Sequence, residues 1–348
     1  MSVYTQLTDD QFAAFCASFG VSFARAIPIT QGIKNSNWFI QTTDDTDGKL
    51  SYVLTLYEER PPADVAKMAV ILNQLKGKLP VAAPLALLDA NHDTVNDETA
   101  DAANNNTHPR YVIHYEDKGI TLVPCLAGAH PTQTTPAMCQ EIGAALAMLH
   151  ANLQELQPAE EYGVPLYPWA SVRDREMQFM PSDEAKLLSD IWQSYTELPL
   201  ANLPTGLCHL DMFADNTLWD LTAGQEKLTG LLDFTEVSVE HYVMDIAITV
   251  NDFCTTWGDA EQGESVNFDR DKMAAFLQGY ESKRPLSVAE KRAFSVMLAK
   301  AAVIFWLLRL NVIHYNRTEG RTGDNIMVKN PDLMKRLAAY HWAHVEKA

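Results

Sequence analysis

The side chains best able to do chemistry fall close together in the sequence. Cys208-His209-Leu210-Asp211-Met212-Phe213-Ala214-Asp215-Asn216 is followed, after a short gap, by Leu231-Leu232-Asp233-Phe234. A carboxylate at Asp211 can orient a hydroxyl and accept its proton. The amide carbonyl of Asn216 and the carboxylate of Asp233 supply the hard oxygen ligands that Mg²⁺ prefers. Phosphoryl transfer needs these groups, because its transition state asks the protein for positioning and charge neutralisation rather than new covalent bonds. On this reading His209 organises the loop through hydrogen bonds to the Asp211 backbone and transfers no proton itself. Any one of these residues alone would read as a turn cap or a satisfied core group. The ordered set, H-x-D-x-x-x-x-N and then D-F across a hairpin-length gap, is the pattern of kinase catalytic and metal-holding segments.

These residues must be positioned by the surrounding elements. A turn at Gly32-Ile33-Lys34-Asn35-Ser36-Asn37, apolar Trp38-Phe39-Ile40, a polar turn to Gly48 and Tyr52 to Tyr57 predict a hairpin, so antiparallel strands are expected to open the chain. Val65, Met68, Ala69, Leu72 and Leu75 recur at helical spacing and predict a helix over 63–75. The Asn/Asp/Thr/Ala tract 89–108 has almost no large apolar residue and predicts a mobile surface loop. Strand-like runs at 111–114 and 120–123 precede Pro124-Cys125-Leu126-Ala127-Gly128, which reads as a linker. Beyond it, helical periodicity covers 136–153, 183–195, 241–253, 272–280, 288–312 and 331–345, interrupted by short strands at 217–219 and 228–232. The expected fold is α+β and two-lobed: an N-terminal nucleotide-binding lobe over 1–126, built on a small antiparallel sheet, and a larger, mostly helical catalytic and acceptor-binding lobe over 127–348.

Composition narrows the partners. The 348 residues carry 27 Lys+Arg against 45 Asp+Glu, a net charge of −18 that repels nucleic acid and anionic membrane surfaces. Apolar residues at 47% and charged residues at 21% are ordinary for a water-soluble protein. Residues 1–11 contain no Lys or Arg, unlike a signal or transit peptide. The strongly apolar run 301–308, bounded by Lys300 and Arg309, reads as a core helix far short of the ~20 residues that cross a bilayer. Five scattered cysteines with no C-x-x-C pair point to a reducing cytoplasm.

The sequence resembles the aminoglycoside phosphotransferase and choline kinase-like superfamily and, within it, the type II homoserine kinases. The resemblance runs over nearly the whole chain. Gly32 to Phe39 is similar to the family's G-x-x-N-S-N-F/W loop, Tyr52 to Glu58 to its V-L-T-L strand, and Leu126-Ala127-Gly128 to its L-A-G. Asp245 to Cys254 is similar to its D-L-A-I-T-L-N-D-W-C helix, and Phe305 to Leu310 to its F-W-L-x-R-L run. The resemblance implies a protein-kinase-like fold, ATP and Mg²⁺ as cofactors, and O-phosphorylation of L-homoserine in threonine biosynthesis. It places Gly32, Lys34, Asn35, Ser36 and Asn37 over the phosphates and Val123 and Cys125 beside the adenine.

One departure stands out. The strand lysine that usually contacts the α- and β-phosphates falls at uncharged Thr55, and the helix over 63–75 has no Glu, so both ends of the usual ion pair are missing together. A buried carboxylate without its cation would be costly. Lys34, or failing it Lys67 or Arg60, is the expected replacement charge. Homoserine is a zwitterion whose carboxylate suits Arg and whose ammonium suits a carboxylate. Arg309, interrupting an apolar run, and Asp252 are the candidates; the alternative is that they serve only as structural partners. Asp245 reads as a brace for the catalytic loop. Two other functions remain open: a kinase for a cationic alcohol such as choline or an aminoglycoside, and a catalytically silent nucleotide-binding module.

Overall fold

Thr8 begins the first helix, not a strand. Its hydroxyl accepts the N–H of Gln11, and the Gln11 side chain accepts the Thr8 N–H in return, a reciprocal cap that starts α1 at Asp9–Ser18. The expectation that strands open the chain is therefore corrected, because the capping signal at Thr8 and Gln11 precedes the hairpin. The computed structural model describes residues 5–29, 35–45, 49–88, 110–222, 226–258, 266–318 and 330–345. The expected loop 89–108 lies outside them, as do Gly32 and Lys34.

The chain divides into two units between Ala127 and Gly128. In the first, β1 (Arg25–Pro28), β2 (Asn35–Gln41), β3 (Tyr52–Tyr57), β4 (Ile113–Tyr115) and β5 (Lys118–Pro124) form an antiparallel sheet in the order β1-β2-β3-β5-β4. Period-two alternation sends Trp38, Ile40, Leu54, Leu56, Ile120 and Leu122 to one face, where they pack with Phe12, Phe15 and Cys16 of α1. The helix α2 (Pro62–Leu75) packs against β5 and turns Val65 and Met68 to the sheet. Met68 meets the Tyr57 hydroxyl there.

The second unit is mostly helical: α3 (Pro136–Leu153), α4 (Trp169–Glu176), α5 (Ser182–Thr196), α6 (Tyr242–Phe253), α7 (Arg270–Glu281), α8 (Val288–Thr318) and α9 (Pro331–Ala343). α3 lies along α7, and α8 packs against α6 and α9. The α3–α7 crossing is close because two glycines line it. A Cβ at Gly143 would sit 2.2 Å from the Phe276 carbonyl oxygen, and one at Gly279 would sit 1.9 Å from that of Gln140. The apolar run 301–308 is embedded in a longer helix than its own length suggests. The stretch Val288–His314 is long and apolar enough to cross a membrane by length and composition, but two-thirds of its most apolar window is buried within the protein. Lys300, which bounds that run, is itself buried.

Two short hairpins set the functional loops. β6 (Thr205–Cys208) pairs with β9 (Ser238–His241), and β7 (Thr217–Asp220) with β8 (Lys227–Leu231), so one pair is nested inside the other. The register puts Cys208 opposite Ser238 and Thr217 opposite Leu231. Segments 209–216 and 232–237 must therefore run side by side between the same two pairs of strands.

Candidate active site

The sequence-selected residues of the second unit converge on this paired loop. The Leu232 N–H donates to the Asn216 carbonyl at 2.9 Å, and His209 Nε2 lies 3.0 Å from the Leu232 carbonyl. Because that carbonyl only accepts, Nε2 carries the proton. Nδ1 of His209 then accepts the Asp211 N–H at 3.3 Å. The imidazole is fully buried and packs edge-on to Phe234 with centroids 4.7 Å apart. Burial pulls the His209 pKa down against the fields of Asp245 and Asp233, which keeps the ring neutral and fixed in this tautomer.

Asn216 donates from Nδ2 to the Asp211 carbonyl at 2.7 Å and to Asp211 Oδ2 at 3.0 Å. That commits its donor end and leaves Oδ1 as the atom suited to a cation. Asp233 occupies the left-handed region at φ 53°, unusual for a residue with a Cβ, and its Oδ1 accepts the Thr235 N–H at 3.3 Å and hydroxyl at 2.5 Å. Its Oδ2 takes neither bond. The donor set of one amide carbonyl and one carboxylate is hard oxygen throughout, which fits a small divalent cation.

The loop is held from beneath by Asp245. Its carboxylate accepts the N–H of His209 and of Leu210, each at 2.8 Å, and lies 2.8 Å from His150 Nε2 of α3. Leu210 is left-handed at φ 63°, so this carboxylate sustains a strained residue immediately before Asp211. Burial alone would raise the Asp245 carboxyl, but the His150 hydrogen bond, the fields of His150 and His209 and the Leu210 N–H together hold it below its ordinary range.

Asp252, at the end of α6, accepts the Ala214 N–H at 2.7 Å and so caps the 3-10 turn 214–216. Arg309, on α8, donates to the Asn330 carbonyl at 2.8 Å. Burial pulls its guanidinium down to about 10 against the favourable fields of Asp252 and Asp215. Arg309, Asp252 and Asp215 thus share one neighbourhood beside the loop 209–216, and Asp215 is a member the sequence reading missed.

In the first unit, the Thr55 hydroxyl donates to Asn37 Oδ1 at 2.7 Å across the β2–β3 pair. Ser36 is fully buried, and its hydroxyl donates to Glu58, so its side chain turns away from any phosphate and only its backbone is left for one. Asn35 offers its carbonyl to Asn37 Nδ2 at 3.3 Å. The expected backbone role of Cys125 is narrowed, because its N–H donates to the Ser51 carbonyl at 2.8 Å, leaving the carbonyl alone. Val123 pairs with Val53 in the same ladder. The missing lysine–glutamate pair has a counterpart elsewhere on the sheet: Lys118 of β5 donates to Glu58 at 2.7 Å, and Thr5 donates to both Glu58 oxygens. No periodicity announces this cluster, since its members come from four separated segments.

Comparison with known proteins gives these features a common origin. Residues 25–286 match the model of the phosphotransferase enzyme family, and the chain belongs to that family. It is 30% identical to a homoserine kinase of Neisseria meningitidis serogroup B over 341 residues, spanning 97% of this chain and 98% of that protein. A homoserine kinase of a Caulobacter species is 31% identical over 318 residues, 89% of this chain and 88% of its own. The fold is shared with solved kinases of 15–16% identity: an amicoumacin kinase in complex with AMP-PNP and Ca²⁺, and a microcompartment-associated aminopropanol kinase, each with a TM-score of 0.61. They are covered over 94% and 96% of their chains, against 97% and 96% of this one. The protein has the α+β fold of these kinases, with an antiparallel-sheet N-terminal unit and a helical C-terminal unit, and it is an ATP-using phosphotransferase acting on a small molecule.

Proposed function

We propose that this protein transfers the γ-phosphoryl group of ATP to the hydroxyl of L-homoserine, with Mg²⁺ as the cation, in the cytoplasm. The observation that carries the reading is the nested register of β6–β9 and β7–β8, which lays Asp211 and Asn216 on the loop beside Asp233. Full-length similarity to homoserine kinases supports the acceptor. Five free thiols fit a reducing compartment.

On this reading the N-terminal unit binds the nucleotide, with Gly32, Lys34 and the backbone of Asn35 to Asn37 at the phosphates, Thr55 on the adjoining strand, and Val123 and Cys125 at the base. The C-terminal unit holds the chemistry. Asn216 Oδ1 and the Asp233 carboxylate would hold Mg²⁺, whose chemistry is to neutralise charge on the transferred phosphoryl group. Asp211 accepts the acceptor's hydroxyl proton and orients its oxygen. His209 keeps the Asp211 backbone in place. Among the described residues Arg309 hydrogen-bonds a backbone carbonyl and no carboxylate, so its burial favours an anionic ligand, and the carboxylate of an amino-acid acceptor meets that need. Asp252 and Asp215 supply negative charge for the ammonium.

An acceptor without a carboxylate, such as choline or an aminoglycoside, would bring Arg309 no anion. A coupled ADP assay across hydroxylated amines and amino acids tests the choice: homoserine should give the highest kcat/KM, and a preference for choline would refute it. Asp211→Asn should bind ATP normally and lose at least 100-fold in kcat. Undiminished turnover in that variant would remove Asp211 from the mechanism, whereas ATP binding with no phosphate transfer by the wild type would favour a binding module.

A further inference from the structure

Behind the Asp245 carboxylate runs a buried chain of hydrogen bonds that the catalytic assignment leaves unused. His150 Nδ1 lies 2.7 Å from the Tyr280 hydroxyl of α7, and both residues are fully buried. Arg284 donates to the same Tyr280 oxygen at 3.3 Å and to Glu290 Oε1 at 2.9 Å. Glu290 Oε2 accepts the Ser287 N–H at 2.8 Å, at the start of α8.

The direction of this chain follows from which groups can donate. The ionised Asp245 carboxylate can only accept, so His150 carries its proton on Nε2. Arg284 can only donate, so it occupies the acceptor capacity of the Tyr280 oxygen. The Tyr280 hydrogen is then left to point at His150 Nδ1. Donation thus runs from Arg284 through Tyr280 and His150 to Asp245, and the loop amides donate to that carboxylate from the other side. We infer that Tyr280 is a positioning residue of the phosphotransfer reaction: its hydroxyl anchors the Nδ1 side of a ring whose Nε2 proton the Asp245 carboxylate selects, and the ring, held at both nitrogens, fixes the carboxylate that sustains the left-handed turn before Asp211.

Without that hydroxyl, the Asp245 carboxylate still selects the Nε2 proton, but Nδ1 is left buried with no donor and the ring is held from one side only. The imidazole can then tilt away from the carboxylate it braces. The loop amides of His209 and Leu210 would then lose a fixed acceptor, and the left-handed residue would lose its support. The inference rests on the assignment of Asp211 as proton acceptor. It adds a residue on α7, far along the chain from the loop.

The test combines histidine-selective ¹⁵N spectroscopy with kinetics on the full-length enzyme. Wild-type His150, assigned by comparison with His150→Gln, should be protonated on Nε2 alone. Tyr280→Phe should keep the Nε2 proton but move the Nδ1 resonance to that of a nitrogen accepting no hydrogen bond, with kcat about tenfold lower and both KM values within twofold. Tyr242→Phe is the control. Its ring stacks on the same imidazole with centroids 4.5 Å apart, but its hydroxyl bonds Gln154 instead, so the Nδ1 resonance and kcat should both stay unchanged. An Nδ1-protonated His150 in the wild type overturns the inference even if Tyr280→Phe does not fold. So does a Tyr280→Phe enzyme with wild-type kcat, or an equal loss in Tyr242→Phe. The spectra need no acceptor. If the wild type phosphorylates another alcohol and not homoserine, the proposed substrate fails while the kinetic comparison is run on that alcohol.

Discussion

Lys300→Met should stabilise the protein, and by an amount that shrinks as pH rises. Lys300 sits in α8 with 3% of its surface exposed, and its Nζ has no hydrogen-bond partner. The ammonium position is instead over the Trp192 ring of α5, 2.8 Å from the centroid, with the Tyr195 ring 4.9 Å away. Arg173 of α4 stacks on the same indole at 4.5 Å and opposes a second positive charge, while Glu240 of β9 favours it. Burial dominates and pulls the amine from its ordinary 10.5 down to about 6. Between those values the unfolded chain holds a proton that the folded chain lacks, so this residue makes wild-type stability rise with pH, by about 1.4 kcal/mol per unit. Methionine has similar length and flexibility and no proton to lose. Its advantage over lysine should therefore be on the order of 4 kcal/mol at pH 7 and fall by about 2.5 kcal/mol by pH 9. Urea unfolding of both proteins at pH 7, 8 and 9 measures this, since all other titrating groups are common to the pair and cancel. Parallel stability–pH lines would refute the reasoning, because they would mean that the lysine keeps its proton inside the folded protein.

Two further substitutions test the packing and the acceptor site. Arg309→Met should raise the KM for the acceptor 10- to 100-fold, the worth of a lost charged hydrogen-bonding pair. The KM for ATP should stay within twofold, and an equal rise in both would take Arg309 out of the acceptor site. Gly279→Ala places a methyl 1.9 Å from the Gln140 carbonyl oxygen at the α3–α7 crossing and should cost about 3 kcal/mol in urea unfolding; a loss below about 0.5 kcal/mol would show that the helices separate freely.

That segments 209–216 and 232–237 lie together was legible because the kinase pattern fixes both residue types and spacing, and because the hairpin between Asn216 and Asp233 has a short, patterned sequence. The helices of the C-terminal unit were legible from apolar periodicity, as at 136–153, which the structure reproduces as Pro136–Leu153. Three features were not. The α1 helix is short, and its signal lies in the Thr8–Gln11 cap rather than in periodicity. Strands β6 and β9 are four residues each and pair across a long separation, so neither announces itself alone. Lys300 and His150 have opposite meanings that pattern cannot tell apart. A charge beside an apolar run reads as a helix meeting water, yet Lys300 is inside. A histidine on an apolar face reads as core packing, yet His150 touches the carboxylate beneath the catalytic loop. Only tertiary contacts separate these cases, because the deciding neighbours come from other helices.

The nesting of β7–β8 within β6–β9 also bears on how the polypeptide reaches its native state. Once the inner pair has zipped, the span left for the outer pair to close is roughly halved, a saving of about 0.6 kcal/mol in chain entropy. Assembly from the inside outward is thus the cheaper order. The two flanking segments, which carry Asp211, Asn216 and Asp233, would be drawn together last, when their anchors at both ends are already in place.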